Sequence, residues 1–244
     1  MRSAVAVLNW FPAYGPLAEH VRVLAMDHRG HGRGIRSNRR FRLADCADDA
    51  VALADALGVE RFIPVGYSMG GLVAQLVWHR HRDRVAGLVL GATARNFRGS
   101  RAAAGSFAAI TAMATVARFT PPRVRAGATQ RLADRRPGIS DWARDQFASS
   151  DPRMVLEAGQ AIGNFSSRDW IGAVDAPTAV VVTEQDQVIP PARQQKLADA
   201  IPGATVHRAP IDHGGCVMQA DLFIPVLVGA VRDVVARAGS LSPS

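Results

Sequence analysis

The stretch GYSMGG, Gly66 to Gly71, decides how the rest of the chain is read. It follows directly on the apolar run Phe62-Ile63-Pro64-Val65. It opens a segment in which Met69, Leu72, Val73, Leu76 and Val77 recur at helical spacing. An ordinary turn serine needs no such setting. A serine on a sharp strand-to-helix turn does, because backbone segments must pass close around it and glycine has no Cβ to obstruct them. So placed, the Ser68 hydroxyl projects at the carboxyl end of a strand. It also sits beside the first N–H groups of a helix, where free donors and the dipole favour an anion. The Met69 N–H is the expected first oxyanion donor.

Outward from this turn, short runs rich in branched residues alternate with helical patterns. Val21 to Met26, Phe62 to Tyr67, Val85 to Ala92, Thr178 to Glu184 and Ala204 to Ala209 read as strands buried on both faces. Leu43 to Leu57 reads as a helix, with Gly58 as its C-cap. Met69 to His79, Ala192 to Ala200 and Val217 to Ala236 read as further helices. The alternation predicts an α/β fold, a doubly wound, mostly parallel sheet. One interval breaks the rhythm. Thr93 to Pro177 holds no convincing strand, although a parallel crossover needs only a dozen or so residues. Phe107, Ile110, Met113, Val116 and Phe119 recur there at roughly helical spacing, which predicts a helical lid over the sheet's carboxyl edge. The expected organisation is one domain, with core segments 1–94 and 171–244 interrupted by a lid at 95–170.

A serine hydroxyl is a weak nucleophile at neutral pH. It needs a base, and the base needs an acid to orient it. TEQDQVIPP places Asp186 just after the fourth apolar run, and PIDHGG places His213 just after the fifth. In a parallel sheet, residues just past strand ends share one edge, so Ser68, Asp186 and His213 can converge. Glu184 is the rival for the acid, should the strand end two residues earlier. His207 falls inside a strand pattern, Asp212 adjoins His213 without a strand-end argument of its own, and His79 and His81 close a helix.

Composition bounds what else the chain can be. Its 244 residues, 48% hydrophobic, suit one domain with a sizeable core. The net charge is +8, but Lys196 is the single lysine and the arginines are not interleaved with stacking aromatics. Nucleic-acid binding is therefore not expected. Cys46 and Cys216 form no C-x-x-C pair, so free thiols are expected and no metal site. No apolar run approaches a membrane span, and the start MRSAVAVLNWF carries no clear cleavage site, which predicts a cytoplasmic protein.

With these residues in view, the chain resembles the serine-type alpha/beta-hydrolases. The likeness rests on DHRGHGRG after one strand, GYSMGG after the next, then EQDQVIPP and DHGGC in the order Ser, Asp, His. The resemblance implies that Ser68 is the nucleophile, His213 the base and Asp186 the acid, and that the turn at Asp27 and Arg29 is structural. It implies hydrolysis of a small-molecule carboxylic ester or lactone through an acyl-enzyme, with no cofactor. The family also contains haloperoxidases, acyl transferases, C–C hydrolases and lactonases, and a triad does not choose among them. Relatives that open epoxides or remove halogens carry an aspartate at the elbow, where this chain has Ser68. The alternative is a chain of this fold that binds a small apolar ligand without turnover.

The N-terminal region departs from the family pattern. Relatives carry a His-Gly segment after an early strand, which supplies the second oxyanion donor, and no His-Gly precedes Asp27 here. Either Ala4 to Leu8 is that strand, with Asn9-Trp10 in place of His-Gly, or NWFPAYGPLAEH belongs to the crossover helix region. The second reading, a shortened N-terminus, is preferred because the first leaves only Asn9 to His20 for a turn, a helix and another turn, with Pro12 and Pro16 restricting helix formation. It predicts a poorly active, aggregation-prone protein with an intact Ser–His–Asp set.

Overall fold

A computed structural model describes residues 7–97, 111–121, 124, 127 and 151–239. The elements run α1 (Val7–Ala18), α2 (Leu43–Ala56), β1 (Val65–Tyr67), α3 (Met69–Arg80) and β2 (Leu88–Gly91). They continue with α4 (residues 111–119), α5 (Pro152–Asn164), β3 (Thr178–Thr183), α6 (Pro191–Ala198), β4 (Thr205–Ala209), α7 (Gly215–Met218) and α8 (Ala220–Gly239). The chain divides into two compact units. One comprises 12–23, 43–97 and 165–244, and the other 1–11, 24–42 and 98–164.

The first unit holds a parallel sheet in the order β1-β2-β3-β4. Every residue of β2 and β3 is buried, as strands covered on both faces require. β4 departs from that expectation. It lies last in the order, and its exposure alternates, with Val206 and Arg208 outward. Helices flank the sheet: α3 lies against β1 and β2, α6 against β3, and α8 against β2, β3 and β4. Leu72, Leu88, Leu90, Phe223 and Leu227 fill the space between. Each such side chain contributes about 1.5–3 kcal/mol by leaving water. Leu90→Ala is accordingly expected to lower unfolding free energy by about 2–5 kcal/mol, read as a shifted urea midpoint.

Local chemistry explains where elements stop. Gly58 takes φ +65°, and Val59 N–H donates to Ala54 O at 2.9 Å while Gly58 N–H donates to Asp55 O at 3.1 Å. These two bonds close α2 with the paired carbonyl bonds of a left-handed glycine cap. At α6, Pro191 occupies the first turn, where its missing N–H costs nothing.

The run Val21–Met26, expected as a strand, is not one. It joins no ladder, and Arg22, Leu24 and Ala25 are exposed. A branched apolar run becomes a strand only when a neighbour takes up its N–H and C=O groups. At the N-terminus, Asn9-Trp10 lies within α1, so it is helix rather than a turn after a strand.

The second unit contains the DHRGHGRG turn. Arg33 N–H donates to Asp27 Oδ2 at 3.0 Å, and Gly30 and Gly32 take positive φ. A Cβ at Gly34 would stand 2.2 Å from His28 O, so the segment closes only with glycine there. Arg153 of α5 is buried and donates to the carbonyls of Ser37 and Asn38, which ties this loop to its helix. Much of the interval expected to form a lid, Phe107 and Ile110 included, lies outside the described residues. In α4 the buried positions are Ala114 and Ala117, while Met113, Val116 and Phe119 are exposed.

Candidate active site

Ser68, Asp186 and His213 all belong to the sheet-bearing unit. Ser68 follows β1 directly, Asp186 lies three residues past β3 and His213 four past β4, so parallel strands deliver them to one edge. Ser68 N–H extends the ladder by donating to Gly91 O at 2.9 Å, and α3 then begins at Met69. Between the two, Ser68 takes φ 53° and ψ −118°, a conformation that L-residues rarely adopt.

The glycines around it carry unequal demands. A Cβ at Gly66 would stand 2.1 Å from Gly70 O, and one at Gly71 would stand 2.6 Å from the Thr93 side chain. At Gly70 an added Cβ meets nothing within 4 Å among the described residues. Tight packing therefore falls on the glycines at 66 and 71, and Gly70 is not needed for space. Gly66→Ala is expected to cost on the order of 3 kcal/mol, because the obstacle is backbone. Gly70→Ala, inside a helix, is expected to be neutral or to gain up to ~1 kcal/mol. Paired thermal melts would check the contrast.

The three side chains form one hydrogen-bonded chain. His213 Nε2 lies 3.0 Å from Ser68 Oγ, and His213 Nδ1 lies 2.7 Å from Asp186 Oδ2. Asp186 Oδ1 accepts from the N–H groups of Val188 and Ile189, each at 2.8 Å. Thr183 Oγ1 donates to Asp186 Oδ2 at 2.9 Å. Burial pushes the Asp186 carboxyl up, but the His213 bond, the Ile189 N–H, the His213 charge and the Thr183 hydroxyl outweigh it. The result lies below the ordinary 3.8. An ionised carboxylate is acceptor-only, so the His213 ring proton sits on Nδ1, and Nε2 is left to accept from Ser68.

The lowered value also predicts a stability effect. A carboxyl whose folded pKa lies below its unfolded one contributes stability above the unfolded value and loses it as pH falls through the folded value. Stability should therefore decline below about pH 4, and Asp186→Asn should remove part of that slope. Urea midpoints measured at pH 5 and pH 3 for both proteins would show it.

Met69 is the first residue of α3, so its N–H is among the donors that a helix start leaves without an intrahelical acceptor. The rival residues are engaged elsewhere. Glu184 is exposed, 3.9 Å from Arg208. Asp212 accepts from Gly214 N–H at 2.8 Å, His81 meets Asp48 at 2.7 Å, and His207 lies 3.6 Å from Asp233. The thiols of Cys46 and Cys216 are buried. Among the described residues no group of three or more His, Cys, Asp or Glu is gathered as metal ligands would be, and no helix is long and apolar enough to cross a membrane.

Three contributors escaped the sequence reading. Tyr67 donates its hydroxyl to His213 O at 2.9 Å and lays its ring 5.6 Å from the imidazole. Thr183 and Gln194, both fully buried, support Asp186 from behind. For Gln194 a signal existed: it shares a helix face with Leu197 and Ala198, at i+3 and i+4. A polar residue on a buried face must have a partner.

A family model for the alpha/beta hydrolase fold matches residues 6–216. The chain belongs to the alpha/beta hydrolase family. This alpha/beta hydrolase is 30% identical over 213 residues to a Variovorax paradoxus protein named "Putative carbamate hydrolase RutD", covering 84% of this chain and 79% of the other. It is 31% identical over 209 residues to the 2-hydroxymuconate semialdehyde hydrolase of a Pseudomonas species, covering 82% and 72%. The crystal structure of the enol-lactonase from Burkholderia xenovorans superposes with a TM-score of 0.74 at 28% identity, covering 91% and 85%. The protein is a hydrolase.

Proposed function

We propose that this alpha/beta hydrolase cleaves a small-molecule carboxylic ester or lactone through an acyl-enzyme on Ser68. The observation that carries the reading is the Ser68–His213–Asp186 hydrogen-bonded chain, with Ser68 at positive φ on a strand-to-helix turn. Carbamates and enol-lactones, named for two similar proteins, both present an acyl carbonyl with an oxygen leaving group available to such a serine.

Ser68 Oγ attacks the carbonyl carbon as His213 Nε2 takes the hydroxyl proton. The carbonyl oxygen becomes an oxyanion facing the Met69 N–H. Asp186 holds the Nδ1 proton and stabilises the imidazolium without itself being protonated. As the tetrahedral species collapses, the Nε2 proton passes to the leaving alcohol and the acyl group stays on Oγ. Water, deprotonated by Nε2, then attacks the acyl carbon. The product acid leaves, and the proton returns to Ser68.

A fluorophosphonate probe tests this directly. It should phosphonylate the purified protein once, on the peptide containing Ser68, and abolish hydrolysis of p-nitrophenyl esters. Ester hydrolysis that survives complete labelling, or a label on another residue, would reject Ser68 as nucleophile.

A further inference from the structure

We infer that Gln194 and Thr183 form a directed hydrogen-bond relay that positions Asp186 and limits how strongly it pulls on the His213 ring proton. The inference rests on the proposed roles of Asp186 and His213 and extends the site by two residues.

The direction of the relay follows from its backbone contacts. The Gln194 amide oxygen accepts the Thr183 N–H at 3.0 Å, while its nitrogen donates to Ile189 O at 2.7 Å. A backbone donor on one side and a backbone acceptor on the other allow only one orientation of the amide. Gln194 Nε2 therefore also donates to Thr183 Oγ1, at 2.7 Å. Having accepted that bond, the Thr183 hydroxyl has one proton to give, and its neighbour is Asp186 Oδ2 at 2.9 Å. That same oxygen holds the His213 Nδ1 proton at 2.7 Å. Thr183, Gln194 and Asp186 are each at most 1% exposed, so water does not compete.

Two donors on one oxygen share its charge. Removing the Thr183 hydroxyl leaves Oδ2 more basic and tightens its hold on the His213 proton, which makes the imidazole easier to protonate. Gln194 Nε2 stands 3.4 Å from Oδ2 and can turn to it when Thr183 is lost, so Thr183→Val alone is partly compensated. The decisive variant is Thr183→Val with Gln194→Leu.

Other titratable groups near the imidazole leave the comparison clear. Burial pushes the Cys216 thiol up to about 11 and the Tyr67 phenol further up, so both stay neutral across the useful range. Asp212 is exposed and the same in every variant.

The test measures the rate of fluorophosphonate labelling against pH, together with the proton NMR signal of the hydrogen bridging His213 and Asp186. In the double variant the acid limb of labelling should move to higher pH. At a pH on that limb, labelling should be about three- to tenfold slower than wild type, with the high-pH rate retained. The bridging proton should move to lower field, and Thr183→Ser should restore both readouts. An unmoved bridging proton and an unmoved acid limb in the double variant would overturn the inference. So would a collapse of the high-pH rate that Thr183→Ser fails to rescue, since that marks a merely structural role. The NMR signal needs no turnover. A shifted signal in a protein that takes no label supports the relay while rejecting the acyl-enzyme.

Discussion

Ser68→Ala is expected to lower ester turnover by about 10⁴–10⁶-fold with the fold unchanged. The substitution removes one atom, Oγ, whose partner is His213 Nε2 at 3.0 Å. Alanine carries the same Cβ into the φ 53° conformation as serine does, so backbone strain at the elbow is nearly the same in both. The ladder bond from residue 68 N–H to Gly91 O is also kept. What disappears is the proposed nucleophile and, with it, the proposed acyl-enzyme route. The residual rate then comes from orientation and oxyanion donors acting on water. Steady-state kinetics with a p-nitrophenyl ester, beside a thermal melt, would check both halves. Turnover within tenfold of wild type would reject the assignment, and a lowered melting temperature would reject the claim that the fold is untouched.

Asp186→Asn is expected to cost about 10⁴-fold in kcat. The carboxylate accepts at both oxygens: from Val188 and Ile189 N–H on Oδ1, and from Thr183 and His213 on Oδ2. An amide cannot serve all four donors. The two backbone N–H groups hold its oxygen on their side, so its NH₂ faces Thr183 and His213. The imidazole answers with the other tautomer, whose Nε2 proton meets the Ser68 hydroxyl, and the proposed base is lost. Glu184→Gln is expected to change kcat by less than about threefold, because this exposed side chain stands near Arg208 and contributes at most a weak surface pair. Should the two variants behave the other way round, the acid of the site is not Asp186.

Much of the fold was legible because it depends on local patterns. Short branched runs between turn residues marked β1, β2, β3 and β4, and 3.6-residue spacing marked α2, α3, α6 and α8. These periodicities arise within ten or fifteen residues, where chain geometry alone sets which side chains share a face. Val21–Met26 has the same local character and is not a strand. Whether such a run pairs depends on a neighbour's free N–H and C=O groups, which its own composition does not report.

By itself the sequence marked β1 to β4 and the helices α2, α3, α6 and α8, the glycine-flanked turn at Ser68, and the placement of Asp186 and His213 just past strand ends. It named Asp186 as the acid, with Glu184 the rival only if the strand ended two residues earlier. It also placed equal weight on glycines that prove unequal, since Gly66 abuts Gly70 O while Gly70 faces open space. Tertiary structure alone decided that Asp186 turns inward. There the N–H groups of the 186–189 turn satisfy one oxygen, and Thr183 with His213 satisfies the other. Only packing brings Gln194 beneath Thr183, and Tyr67 to the carbonyl of a histidine 146 residues away. The physical reason is the same in each case. A strand or helix follows from neighbours in the chain, whereas a buried polar atom must find its partner wherever the closed fold puts one.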